Sequence, residues 1–130
     1  MESELLKVIN DELVKFLNYE YGEYTGVLQY PYAVGEYNES GFTYEDGGTT
    51  GEFILTVFNR GSELDLINIK EQVKEVFADY RVSTESGTIY INYRNKLFIR
   101  SGEAELKKME IYLDTKYWKG VRIYEKTFNF

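Results

Sequence analysis

The feature that most constrains the fold is a strict alternation of side chains near the end of the chain. Every second residue from Met109 to Tyr117 belongs to one series, which begins with Met109, Ile111 and Leu113. The residues that alternate with them, from Glu110 to Trp118, are charged or aromatic. A period of two is typical of a β-strand with one face on a core and the other half exposed. The alternation predicts an antiparallel sheet covered on one side.

Two segments have the helical spacing needed to cover that side. Apolar residues recur every three or four positions from about Ser3 to Tyr19, and a second such stripe runs from Leu66 to about Asp79. Ser62, with an acidic residue three positions later, predicts the N-cap and acidic first turn of the second helix. We therefore expect two amphipathic helices.

The remaining segments predict strands and turns. Residues 52–58 have apolar side chains on both sides, which predicts a central strand with both faces covered. Residues 37–51 are rich in turn formers and predict a loop or a long, frayed hairpin. We expect one hairpin over 88–99 that turns at Arg94-Asn95-Lys96, and another formed by 104–118 and 121–126.

The order of these elements predicts the fold class. Helix, strands, helix, strands, without a linker or an internal repeat, indicate a single α+β domain over residues 1–130. We expect a mostly antiparallel sheet with the two amphipathic helices packed on one face. The segment from Met1 to Tyr21 resembles neither a signal peptide nor a membrane anchor, so an intracellular protein is expected.

The composition excludes much common chemistry. Without cysteine or histidine, the chain lacks thiol and imidazole nucleophiles and the usual zinc ligands, and it has no glycine-rich phosphate-binding motif. We expect no enzyme activity, no catalytic residue, no metal site and no cofactor, with a carboxylate-based hydrolase as the alternative among 22 acidic residues. A net charge of −7 argues against a protein that grips nucleic-acid phosphates.

Charge distribution and aromatic content favour contacts with other molecules. Residues 1–50 hold two basic and ten acidic residues, whereas residues 51–130 are nearly balanced. The chain also has 13 tyrosines, eight phenylalanines and one tryptophan, well above the usual aromatic content. Surface aromatic residues suit protein interfaces, cross-strand pairs and sugar stacking alike. An aromatic-rich carbohydrate- or peptide-binding module therefore stays open as an alternative.

Several runs resemble the small tail-terminator or tail-completion proteins of long-tailed bacteriophages and of prophages in Gram-positive bacteria. The resemblance rests on Tyr30–Tyr37 (YPYAVGEY), Glu45–Gly47 (EDG), Gly51–Ser62 (GEFILTVFNRGS) and Ser101–Leu113 (SGEAELKKMEIYL). It implies a structural virion assembly protein, not an enzyme. Such a protein caps the tail tube as a ring, commonly a hexamer, and joins it to the head connector. The head-tail stopper of the same neck is the alternative role.

The resemblance also implies partners, a location and interface positions. The partners are other copies of the chain, the tail tube protein and the head-tail connector or stopper. In many such proteins the copies form the ring only on the tube and are monomers in solution. Genome DNA passes through the acidic bore without specific binding, and no membrane is contacted. The protein is expected in the host cytoplasm during assembly and then in the virion neck. The matching positions are Tyr37, Glu39, Glu45, Asp46, Tyr112, Trp118 and Tyr124.

Overall fold

A computed structural model describes residues 1–43, 47–100 and 102–119, and within them two helices pack on one six-stranded sheet. The elements are α1 (Glu2–Leu13), β1 (Asn18–Tyr21), β2 (Tyr32–Thr43), β3 (Gly48–Asn59), α2 (Glu63–Phe77), β4 (Tyr80–Ser83), β5 (Gly87–Ile99) and β6 (Lys107–Lys119). The strand order is β1-β2-β3-β6-β5-β4; β1 and β2 are parallel, and the other neighbouring pairs are antiparallel. The α+β class with a mostly antiparallel sheet is confirmed.

One hydrophobic core lies between the helices and a single face of the sheet, which we call the inner face. The stripes of α1 and α2 join the buried residues of the strands in one cluster. On β3 and β6 every second side chain is buried, as the alternation on β6 predicts. The fully buried members include Leu5, Ile9, Leu66, Phe77, Phe53, Leu55, Ile91, Ile111 and Leu113. Burying one such side chain contributes about 1.5–3 kcal/mol.

The first helix ends earlier than its apolar pattern predicts. The prediction extended it to Tyr19, but α1 ends at Leu13, and Asn18–Tyr21 instead pairs in parallel with Tyr32–Gly35. Leu17 and Tyr19 are buried, so the residues that continue the helical stripe fill the core from a strand. Pairing with β2 satisfies backbone groups that would otherwise lie in the last turns of a helix.

The second helix begins where the capping pattern places it. The Ser62 side chain accepts a hydrogen bond from the backbone N–H of Leu64 at 2.9 Å, which confirms the N-cap. The helix ends at Phe77, two residues before the predicted end at Asp79. Asp79 has φ of 57°, a left-handed conformation that does not continue a right-handed helix.

The predicted hairpin over residues 88–99 is wrong. β5 runs unbroken from Gly87 to Ile99, and the residues expected to turn form a bulge instead. Tyr93 lies opposite Leu113 and Asn95 lies opposite Tyr112, so Arg94 is an extra residue in the register. Because β6 is long enough to pair on both sides of the bulge, the chain does not reverse.

Three further strand predictions have different outcomes. β2 and β3 form a long hairpin, paired from Tyr32 opposite Phe58 to Thr43 opposite Thr49, so the hairpin is the correct alternative for residues 37–51. The inward side chains of β3 are buried, but its outward ones are only half-buried, and the prediction that both faces are covered was wrong. The first hairpin strand proposed over 104–118 begins at Lys107, and its partner at 121–126 lies outside the described residues.

Candidate protein interface on the outer sheet face

The side of the sheet opposite the helices, which we call the outer face, carries half-buried aromatic and charged side chains. These residues alternate with the buried ones along the four central strands. They include Tyr32, Val34, Glu52, Ile54, Phe58, Tyr90, Lys108, Glu110, Tyr112, Asp114, Lys116 and Trp118. In the described part of the chain both helices pack on the other side, so no helix covers this surface.

One end of the outer face holds a cluster of aromatic rings. The ring centroid of Tyr32 lies 5.0 Å from that of Phe58, 5.4 Å from that of Tyr30 and 4.9 Å from that of Tyr24. The Arg60 guanidinium lies 5.4 Å from the ring centroid of Tyr30. Burial within this cluster raises the pKa of the Tyr32 hydroxyl. We call these four rings the aromatic cluster.

The loop that supplies two of these rings is held by hydrogen bonds at its base. Glu20 on β1 accepts hydrogen bonds from the backbone N–H of Thr25 at 2.7 Å and from that of Gly26 at 3.2 Å. These bonds, the one to Thr25 foremost, lower the pKa of Glu20. The same loop exposes Val27 and Leu28 at 82% and 53%, so apolar surface lies next to the aromatic cluster.

The centre of the outer face is organised by Arg94, the extra residue of the β5 bulge. Glu52 on β3 and Asp114 on β6 lie directly opposite each other, and two carboxylates in that arrangement repel. Arg94 forms an ion pair with each of them, at 2.9 Å from Nη1 to Asp114 Oδ1. Its guanidinium carbon also lies 5.3 Å from the ring centroid of Tyr112. The hydrogen bond to Glu52 raises the pKa of Arg94.

Cations lie over most of the outward aromatic rings. Lys116 Nζ is 4.7 Å from the centroid of Trp118, and Lys108 Nζ is 5.7 Å from that of Phe58. The hydroxyl of Tyr112 donates to Glu110, a hydrogen bond that raises the pKa of this tyrosine. Such a surface combines aromatic area with charged groups among the rings, and tyrosine, tryptophan and arginine are the residues enriched in protein interfaces.

The structure does not bring the predicted interface residues together. Tyr112 and Trp118 lie on the outer face, whereas Tyr37 and Glu39 lie on the helix side of β2. Glu45, Asp46 and Tyr124 fall outside the described residues. The sequence thus identified two members of the outer-face surface.

Tyr37 and Glu39 instead belong to the rim of the core. The ring of Tyr37 lies over Gly51, where a Cβ atom would be 2.3 Å from its hydroxyl oxygen. Tyr117 donates a hydrogen bond to Glu39, and burial, followed by this bond, raises the pKa of Tyr117. Burial likewise raises the pKa of Tyr37. These contacts connect the β2–β3 hairpin to β6.

Sequence reasoning missed four residues of the outer face, which are Arg94, Glu52, Asp114 and Phe58. The signal for Glu52 and Phe58 was present, because both share a side of β3 with Ile54. The contribution of Arg94 depends on a bulge, and a bulge has no distinct period in the sequence. Its expected position in a turn concealed its contact with two carboxylates on neighbouring strands.

Two searches of the described residues bear on other kinds of site. No group of three or more aspartate or glutamate side chains lies close enough together there to hold a metal ion. Within the same ranges, neither helix has the length and apolar character needed to cross a membrane.

Comparison with known proteins adds no relative. No protein-family model matches the chain, and no curated protein matches it.

Proposed function

We propose that this chain is a structural virion assembly protein that caps a bacteriophage tail tube as a ring and joins it to the head connector. The observation that supports this most is the outer face, a broad sheet surface that no described helix covers and that carries half-buried aromatic side chains. Surfaces of this composition gain most from burial against another protein. The resemblance of residues 30–37, 45–47, 51–62 and 101–113 to tail-completion proteins is the reason for proposing the tail tube and the head connector as that partner.

The proposal assigns the outer face to contacts with the tube or the connector. Tyr112 and Trp118 contribute large rigid side chains, and the ion pairs of Arg94 hold the surface around them in one arrangement. The lysine over Trp118 and the arginine over Tyr112 occupy ring surface on which a sugar would stack. This occupation favours a protein partner over a carbohydrate.

Binding to assembled tail tubes tests the proposal. Purified chain is added to tubes built from the tube protein of the same phage or prophage, and the tube ends are examined by electron microscopy and co-sedimentation. We expect density at one end of each tube and an arrest of tube elongation. Folded chain that leaves tube ends bare and elongation unchanged would overturn the proposal.

A pair of variants tests the role of the outer face. Tyr112→Ser with Trp118→Ser removes two aromatic side chains from it, and we expect tube binding to be lost while circular dichroism stays that of the folded chain. Leu64→Ser is the matched control, because Leu64 is 60% exposed on α2 on the other side of the molecule. Equal tube binding by both variants would assign the docking surface elsewhere.

A further inference from the structure

One side of strand β2 is covered over only part of its length. β1 pairs with four residues of β2, and the chain then leaves the sheet at Gly22, whose backbone N–H donates to the carbonyl oxygen of Gly35 at 2.8 Å. Within the described ranges no strand lies beside Glu36–Glu39 on that side. Alternate residues of a strand direct their backbone groups to opposite sides, so the N–H and C=O groups of Tyr37 and Glu39 point to this uncovered side, as the carbonyl of Gly35 does. We call residues 36–39 the open side of β2.

The segment that follows β6 predicts one more strand. Residues 120–130 come after the last described residue, Lys119, and the side chains of residues 121–126 alternate in character, as those of a strand do. Such a strand has no room beside β6, because β3 pairs with β6 from Lys107 to Trp118 and β5 pairs with it from Lys108 to Lys119. The backbone groups of a strand need partners, so within this chain the new strand requires another uncovered side.

The open side of β2 lies within reach of this segment. β6 ends beside the tip of the β2–β3 hairpin, because Tyr117 pairs with Thr49 and Thr49 pairs with Thr43. Neighbouring strands are about 4.8 Å apart, so a strand beside β2 lies about 14 Å from β6, a distance that about four extended residues span. β2 and β6 both run antiparallel to β3, so a segment that turns back after β6 runs antiparallel to β2. About seven residues then remain to follow β2 as far as Glu36.

The open side of β2 is bordered by carboxylates without a neutralising cation. Glu36 lies on it, and Glu23 directly follows the residue at which the chain leaves β1. Burial, and after it neighbouring carboxylates that include Glu2, raises the pKa of Tyr37, so Glu2 lies near this side as well. All three glutamates are exposed, and none of them forms an ion pair with another described residue. Residues 16–59 contain no lysine or arginine.

The charges of segment 120–130 complement this border. The segment carries Arg122 and Lys126 against one acidic residue, Glu125. At the other end of the sheet, β4 has Arg81 and no acidic residue, so a basic segment paired there would meet a like charge. Opposite charge therefore favours β2 as the neighbour of the new strand.

We infer that segment 120–130 folds back on its own chain and pairs with the open side of β2 as a seventh strand of the six-stranded sheet. The pairing supplies partners for the backbone groups of Tyr37 and Glu39 and brings two basic side chains to the unpaired carboxylates. It leaves the outer face open. The inference goes beyond the proposed function and requires neither tube nor connector.

Amide hydrogen exchange of the whole chain, followed by NMR, tests the inference. We expect the amides of Tyr37 and Glu39 to be protected, because the added strand accepts hydrogen bonds from them. Tyr124→Pro with Phe128→Pro removes backbone donors from segment 120–130 and disfavours a strand there. In that variant we expect both amides to exchange at least about tenfold faster, while the amide of Leu55 in the core keeps its rate.

Val27→Pro with Gln29→Pro is the matched control, because it makes two proline substitutions in another exposed segment. We expect it to leave the exchange of Tyr37 and Glu39 unchanged. Rapid exchange of these two amides in the unaltered chain would overturn the inference. Protection that persists in the variant of segment 120–130 would do so as well.

A spin label locates the segment independently. The chain has no cysteine, so Thr127→Cys gives a single attachment site. We expect the label to broaden the amide signals of residues 36–39 equally at every protein concentration. Glu85→Cys, in the exposed bend between β4 and β5, is the control label and should leave those signals sharp.

Two other outcomes of the labelling would overturn the inference. Broadening of residues 95–99 by the label at position 127 would mean that the segment pairs at the opposite end of the sheet. Broadening of residues 36–39 that grows with protein concentration would mean that the segment reaches another copy of the chain.

Discussion

The two faces of the sheet belong to the same strands but differ in how far their side chains are buried. On β3, Leu55 and its inward neighbours Phe53 and Val57 are fully buried under the helices. Ile54 and Phe58, which point to the other side of the same strand, are half-buried among aromatic and charged side chains. The side chains of the inner face stabilise the fold because the chain's own helices bury them. The outer face retains apolar area that the isolated chain does not bury, and this contrast is the reason for proposing it as the surface for a partner.

The largest expected effect compares two neighbouring residues of β3 in unfolding experiments. Leu55→Ala leaves a cavity in the core, and we expect it to lower the free energy of unfolding by about 2–5 kcal/mol. Ile54→Ala removes a half-buried side chain from the outer face, and we expect a loss of about 1 kcal/mol. Urea unfolding followed by circular dichroism measures both. Equal losses would mean that the outer face is packed as tightly as the core.

A smaller effect concerns the glycine that admits two aromatic rings to the inner face. A Cβ at Gly35 would lie 2.4 Å from Cζ of Phe53 and 2.6 Å from the hydroxyl oxygen of Tyr19. We expect Gly35→Ala to lower the free energy of unfolding by about 1–3 kcal/mol, because the rings must move within a filled core.

Gly26→Ala is the control for that substitution. Its Cβ would meet the ring of Tyr24 at 3.4 Å, an ordinary contact in the loop beside the outer face. We expect a change within about 0.5 kcal/mol. A loss at Gly26 as large as that at Gly35 would mean that the loop constrains the fold as strongly as the core does.

The parts of the fold that follow from local patterns were predictable, and those that depend on a distant partner were not. The strand β6 and the N-cap at Ser62 can each be predicted from a short stretch of sequence, without knowledge of a distant partner. The end of α1 does not, because Leu17 and Tyr19 continue its apolar stripe and only the presence of β2 makes them a strand. The bulge at Arg94 likewise exists because β6 pairs on both sides of it.

The candidate surface was predictable to a similar degree. Tyr112 and Trp118 were placed on the polar side of their strand by alternation alone, and the structure places them on the outer face. Tyr37 was named with them as a position that the resemblance implies, but it shares the inward side of β2 with Ala33, and its ring lies over Gly51 at the rim of the core. No described helix covers the outer face because both helices pack on the inner face. The periodicity of a single segment shows that a helix has an apolar side, but not which face of the sheet it packs on.

The smallest expected effect concerns the ion pairs at the centre of the outer face. Arg94→Gln leaves the carboxylates of Glu52 and Asp114 opposite each other without their shared cation. Because all three side chains are partly exposed, we expect a loss of less than about 1 kcal/mol in the free energy of unfolding. The loss should be greatest at low ionic strength and shrink as salt screens the remaining repulsion.

Lys7→Gln is the control for this salt dependence, since Lys7 forms an exposed pair with Asp11 at 2.7 Å on the helix side. Its removal leaves one carboxylate, not two that face each other. We therefore expect a loss of about 0.3–0.5 kcal/mol in the free energy of unfolding, with a weaker dependence on salt. Unfolding in guanidinium would mask the comparison because guanidinium is itself an electrolyte, so urea at several salt concentrations is the suitable measurement. If the loss at Arg94 does not vary with salt, its packing over Tyr112 accounts for its contribution. The outer face would then be ordered by ring contacts and would keep its shape when a partner neutralises the charges.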